Sequence, residues 1–130
     1  MREAIAGWMA RRYPALSGVI DPETHVLPLN GSREGLFSAI FSARDRKTEI
    51  DAPTVLIPNP FYQVYAAASA VAGTTPVFLT SGPETGFLPA LEEIDPPILQ
   101  RTIAFYLCSP SNPEGAVASR GYLMRAIAMA

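Results

Sequence analysis

Cysteine, histidine, tryptophan and lysine each occur once in these 130 residues, as Cys108, His25, Trp8 and Lys47. A single cysteine excludes an intrachain disulfide and fits a reducing, cytoplasmic compartment. One cysteine and one histidine, far apart in sequence, fall short of a zinc ligand set. Both read as structural residues, His25 opening a strand and Cys108 closing one. Charge is scarce too: 17% of residues are charged and the formal net charge is −2. That leaves no basic footprint for nucleic acid or for an anionic membrane. The apolar run from Ala66 to Gly73 is far shorter than the roughly 20 residues a membrane-spanning helix needs. Met1-Arg2-Glu3 leads into an amphipathic pattern rather than an apolar signal sequence. A chain of this length, 48% hydrophobic, fits about one soluble globular domain.

The apolar spacing predicts alternating helices and strands. Ile5, Trp8 and Met9 recur at helical spacing, so residues 2–13 read as a helix ended by Tyr13-Pro14. Asp21-Pro22-Glu23 reads as a turn and His25 to Leu29 as a short strand. Ser32 is placed to cap a helix through Ala43, with Glu34 in its positive first turn. Arg44 to Asp51 reads as a charged loop. Strands are expected over 54–57, 76–79 and 103–107, with an Ala-rich helix over 61–72 and a short helix over 91–94. Ser119 is placed to cap a last helix. This alternation predicts an α/β fold with a mainly parallel sheet. The periodic run from Tyr122 to Ala130 meets no Gly, Asn or Pro, and the first helix starts at Met1 without a cap. Residues 1–130 are therefore expected to be one partial domain, cut at its C-terminal side and at its N-terminal side as well.

Three apolar segments break into Pro, Gly, Asn or Ser: Leu29-Asn30-Gly31-Ser32-Arg33-Glu34-Gly35-Leu36-Phe37, Val55-Leu56-Ile57-Pro58-Asn59-Pro60-Phe61-Tyr62-Gln63-Val64-Tyr65, and Phe105-Tyr106-Leu107-Cys108-Ser109-Pro110-Ser111-Asn112-Pro113-Glu114-Gly115. In open α/β sheets ligands sit beyond the carboxyl ends of strands, so three such breaks suggest three edges of one pocket. Each has an ordinary reading as well. A Gly-Ser helix start presents unpaired N–H groups that suit a phosphate, yet it also begins many helices that bind nothing. Phe61, Tyr62 and Tyr65 could stack on a flat ring or simply fill the core. Asn112-Pro113 is a sufficient turn opening on local grounds alone.

Taken together and in order, these segments resemble the class I and II pyridoxal-phosphate-dependent aminotransferases of fold type I. The resemblance covers essentially the whole chain. It implies that the chain is part of that family's large domain, with pyridoxal 5'-phosphate as cofactor. By the family's motifs, Gly31, Ser32 and Arg33 would hold the cofactor phosphate, Tyr62 would stack on its ring, and Asn112 would donate to the ring oxygen. Phe61 and Tyr65 would be packing residues. Glu114 departs from the family's usual Asn-Pro-Thr-Gly, where a threonine stands. Within the family the match is greatest to members acting on N-succinyl-diaminopimelate in lysine biosynthesis, through Trp8-Met9-Ala10-Arg11-Arg12-Tyr13, Leu27-Pro28-Leu29-Asn30-Gly31-Ser32-Arg33-Glu34 and Pro58-Asn59-Pro60-Phe61-Tyr62-Gln63-Val64-Tyr65. That implies an amino-acid donor, a 2-oxo-acid acceptor such as 2-oxoglutarate, and a homodimer. Relatives that perform β-elimination, or a non-catalytic α/β remnant, fit the same residues.

The family also needs a lysine to carry the cofactor, an aspartate at the ring nitrogen and an arginine for the substrate carboxylate. Lys47 lies in the charge run Arg44-Asp45-Arg46-Lys47-Thr48-Glu49, the setting of a solvated loop and not of that lysine. Asp21, Asp45, Asp51 and Asp95 fall near turns or loops. No residue of this chain is therefore expected to be catalytic.

Overall fold

The computed structural model describes residues 1–129, which form two compact units, one from Met1 to Glu34 and one from Gly35 onward. The first unit holds α1 (Arg2–Arg12), a 3-10 turn at Pro14–Leu16 and α2 (Pro22–His25). Glu3 in the first turn and Arg11 and Arg12 in the last complement the α1 dipole. Arg2 pairs with Glu23 at 2.8 Å, on the surface. Asp21-Pro22-Glu23 is not a bare turn; it starts a helix. Asp21 caps α2, accepting from Glu23 N–H at 3.0 Å and from the Thr24 hydroxyl at 2.8 Å, and Pro22 supplies a preset first position. These bonds hold the exposed Asp21 carboxyl below its usual range.

The strand expected over His25–Leu29 is not formed. His25 ends α2, with its Nδ1 accepting from Asp21 N–H at 2.9 Å. Val26 is extended (φ −122, ψ 112), but residues 26–29 pair with no strand among the described residues. A strand needs a neighbour to take its N–H and C=O groups, and sequence alternation alone cannot supply one.

Helix α3 (Ser32–Arg46) runs from the first unit into the second. It outlasts its expected end at Ala43 by most of a turn, so the charged loop shrinks to residues 47–51. Arg44 and Arg46 favour the negative helix end, and Arg44 donates to the carbonyls of Lys47 and Ile50 at 3.0 and 3.4 Å.

The second unit is built on β1 (Thr54–Asn59), α4 (Gln63–Val71), β2 (Thr75–Thr80), α5 (Pro96–Gln100), β3 (Thr102–Phe105) and α6 (Arg120–Ala128). The strands form one sheet in the order β2-β1-β3, and both pairings are parallel. Val55, Leu56 and Ile57 of the central strand are at most 1% exposed. A parallel strand covered on both faces reads as such a continuous apolar run. One core cluster joins Ile40, Val55, Ile57, Tyr65, Ala68 and Tyr106; another joins Leu91, Ala118 and Tyr122. Ala68 and Ser69 on α4 are fully buried, because small side chains let the helix approach the sheet. The buried Ser69 and Thr74 hydroxyls satisfy each other at 2.7 Å, and Gly73 at φ +67 ends the α4 segment in the left-handed region. Ser119 caps α6 as its position suggested, accepting from Tyr122 N–H at 3.2 Å. Helix α5 was not foreseen; its signal was Asp95 ahead of Pro96 and Pro97.

Strands β2 and β3 each leave one edge unpaired in this sheet. Phe78, Val117, Met124 and Ile127 are 45–72% exposed. An isolated 130-residue polypeptide is therefore expected to bind a hydrophobic dye, associate, and melt without a sharp transition. A monodisperse monomer with a cooperative melt would contradict this.

Candidate functional site

Beyond the C-terminal ends of β1 and β3 the chain turns away in two proline-containing loops. The first leads from Asn59-Pro60 into α4, and the second runs through Ser109-Pro110 and Asn112-Pro113; these three peptide bonds are cis. Between the loops lies a small cavity of about 20 Å³, lined by Tyr62, Tyr65, Ser81, Phe87, Cys108 and Asn112 among others. Tyr62 stands at the residue before α4, in extended conformation (φ −78, ψ 125), and is half-buried.

The ring of Tyr62 is set by Tyr65. Their centroids are 5.8 Å apart with planes at 89°, an edge-to-face contact. Tyr65 is stacked on Tyr106 at 4.0 Å and 16°, and the Tyr106 hydroxyl donates to the Leu36 carbonyl on α3 at 2.6 Å. Three tyrosines thus link α3 to the loop after β1. Burial, and then neighbouring Cys108 and Tyr62, push the Tyr65 phenol up. Burial, with Tyr65 second, pushes Tyr106 up to about 12. Both are neutral hydrogen-bonding groups near pH 7. Phe61 is more exposed and packs on Phe78 at 5.0 Å, so the expected packing role fits both Phe61 and Tyr65.

The loop after β3 is held by its serines. Ser111 Oγ accepts from Ala116 N–H at 2.9 Å, and Ser109 Oγ accepts from Ala118 N–H at 3.0 Å. Ser111 N–H also donates to the Ala116 carbonyl at 2.8 Å. Asn112 projects from this frame as an exposed residue. The Cys108 thiol donates to the Pro110 carbonyl at 3.0 Å, a structural contact.

In the first unit, Gly31, Ser32 and Arg33 sit at the start of α3. Ser32 is the helix's first residue instead of the capping residue ahead of it. A Cβ at Gly31 would lie 2.5 Å from Glu34 Oε2, so the Glu34 side chain folds back over Gly31, in the manner of a capping box. A carboxylate already occupies the neighbourhood where the helix end favours an anion. Lys47 is exposed in the loop after α3, and none of the four aspartates singled out in the sequence lines the cavity. Among the described residues no cluster of three or more His, Cys, Asp or Glu could hold a metal, and no helix is long and apolar enough to cross a membrane.

Sequence reasoning singled out Tyr62 and Asn112, and the structure brings both to one cavity. It passed over Ser81 and Phe87, which enter the same cavity from the loop after β2. The signal was present: Thr80-Ser81-Gly82-Pro83 is another apolar strand breaking into small residues. Phe87 is held at φ +59, which no local pattern announces.

A parallel sheet with a pocket beyond its carboxyl ends defines an α/β ligand-binding architecture. The family model for aminotransferase class I and II matches residues 1–130, and the chain belongs to that family. It is 37% identical over 123 residues to the LL-diaminopimelate aminotransferase of Dehalococcoides mccartyi, covering 94% of this chain and 29% of that protein. The fold superposes on the crystal structure of an aminotransferase from Neisseria meningitidis with a TM-score of 0.87, at 32% identity, covering 98% of this chain and 31% of the other. A probable N-succinyldiaminopimelate aminotransferase from Thermus thermophilus is similar at a TM-score of 0.80 and 28% identity, with 98% and 32% coverage. The chain thus spans about 30% of the length of these relatives.

Proposed function

We propose that this chain is the part of a pyridoxal-phosphate-dependent aminotransferase that seats the cofactor, within a protein of its relatives' length. The observation that carries the reading is the meeting of Tyr62 and Asn112 at one cavity beyond β1 and β3, as the family's motifs require. The residues suit the group. Tyr62 offers an aromatic face already oriented by Tyr65, and the exposed Asn112 carries an amide donor. The 15-residue helix α3 turns its positive N-terminal end toward a phosphate once Glu34 swings aside, a cheap motion for a flexible side chain.

When bound, pyridoxal phosphate supplies an electron sink for bonds broken at the α-carbon of an amino acid. The residues of this chain bind and tune it. Arg33 would supply positive charge to the phosphate, Gly31 and Ser32 would offer backbone and hydroxyl donors to it, and Tyr62 would cover one ring face and keep water from it. The Asn112 amide donates to the ring oxygen and favours its ionised form. The lysine, aspartate and arginine that complete the reaction lie elsewhere in the protein; Lys47 is not that lysine. The donor is an amino acid of the diaminopimelate kind and the acceptor a 2-oxo acid. The working form is a cytoplasmic homodimer.

Asn112 gives the test. In the complete protein, Asn112→Ala is expected to raise the pH at which the bound cofactor's absorption changes by about 1–2 units, the worth of a hydrogen bond to a charged group. An unchanged titration would remove Asn112 from the site.

A further inference from the structure

We propose that Tyr106, which lies outside the cavity, is a positioning residue: its bond to the Leu36 carbonyl fixes the plane of Tyr65, and Tyr65 fixes that of Tyr62, the cofactor ring's stacking partner. The role rests on the aminotransferase reading of Tyr62. Leu36, Tyr62, Tyr65 and Tyr106 all lie in the unit from Gly35 onward, so every contact in the series is internal to it.

Tyr62 needs a constraint from outside its own backbone. It precedes α4 in extended conformation (φ −78, ψ 125) and is half-buried. No helical turn before it restricts its side-chain rotamers. Its carbonyl accepts from Tyr65 N–H at 2.9 Å, which holds the main chain and leaves the ring to turn. The edge-to-face contact with Tyr65, at 5.8 Å and 89°, limits that turn. Tyr65 in turn lies nearly parallel to Tyr106, at 4.0 Å and 16°.

Tyr106 is the fixed end of the series. Its N–H donates to the Leu56 carbonyl on β1 at 3.0 Å, which ties its backbone to the central strand. Its hydroxyl donates to the Leu36 carbonyl on α3 at 2.6 Å. A planar side chain fastened at both ends can neither slide nor tilt, and stacking passes its plane to Tyr65. Burial holds the phenol up at about 12, so the hydroxyl stays a donor through the working pH range.

Packing alone does not call for this hydroxyl. Tyr106 belongs to the core cluster with Ile40, Val55 and Ile57, where a phenylalanine would bury the same ring. A hydroxyl taken into such surroundings costs free energy unless it is bonded. The Leu36 carbonyl has no need of it either, because a carbonyl inside a helix already accepts from the N–H four residues on. The bond serves position.

The test uses the complete protein and pyridoxal phosphate. Equilibrium dialysis measures retention, and the induced circular dichroism of the bound cofactor's absorption band reports how its ring is held. Tyr106→Phe is expected to loosen retention by about two- to three-fold. Tyr106→Leu, which also removes the ring face under Tyr65, should loosen it by about five- to ten-fold, within the worth of a hydrogen bond and an aromatic pair. The induced signal per bound cofactor should fall in both. In the Tyr62→Ala background both losses should vanish, because the effect passes through that ring alone. A residue that only fills the core would lower Tm and leave retention and the induced signal unmoved.

Retention and signal unchanged in Tyr106→Phe, or losses undiminished in the Tyr62→Ala background, overturn the proposal. If Tyr106→Leu does not fold, Tyr106→Phe decides by itself. If Tyr62→Ala loosens retention and Tyr106→Phe does not, the role of Tyr106 falls and the cofactor site stands. If Tyr62→Ala also leaves retention unchanged, both fall.

Discussion

Tyr62→Ala in the complete protein is expected to weaken retention of pyridoxal phosphate by about 1–3 kcal/mol, or about 5- to 150-fold in dissociation constant. The loss has two sources: offset stacking on the cofactor ring, and burial of the apolar faces of both rings. Tyr65→Phe is the control. It keeps the ring that meets Tyr62 edge-on at 5.8 Å and stacks on Tyr106 at 4.0 Å, and removes only the hydroxyl near Cys108. Retention should be nearly unchanged. Equilibrium dialysis against the cofactor measures both, and equal losses at the two positions would mean that Tyr62 is not the stacking residue.

The second large effect concerns turnover. The 130-residue polypeptide by itself is expected to transfer no amino group above a protein-free blank. Its one lysine, Lys47, is exposed in the loop after α3 and absent from the cavity that Tyr62 and Asn112 line. A lysine that carries the cofactor must reach it and be desolvated to react. Transfer above the blank that disappears in Lys47→Ala would contradict this assignment.

Much of the second unit was legible because its signals are local. The apolar run at Val55–Ile57 announced a strand, and the Ala-rich stretch after it announced a helix. Ser119 declared itself as a cap. Where structure depends on a distant partner, the sequence was mute. Residues 26–29 alternate like a strand but find no neighbour, whereas Asp21-Pro22-Glu23 had the capping chemistry to start a helix instead. The tie from Tyr106 to the Leu36 carbonyl joins residues far apart in the chain, and nothing in either segment foretells it.

The candidate site divides the same way. Tyr62 follows the end of β1 closely and Asn112 lies in the loop after β3, so their place beyond the sheet could be anticipated from the breaks at Pro60 and Pro110. Ser81, Phe87 and Glu114 belong to the same cavity only because three loops converge there. Glu114 stood out in sequence only as a departure from the family's usual threonine.

The most direct test is a crystal structure of the complete protein with pyridoxal 5'-phosphate. The account predicts the phosphate at the first residues of α3, on Gly31, Ser32 and Arg33. The ring should lie face-on against Tyr62, with its oxygen about 2.7–3.2 Å from the Asn112 side-chain nitrogen. Cofactor density away from both Tyr62 and Asn112, with either side chain turned from it, would contradict the account.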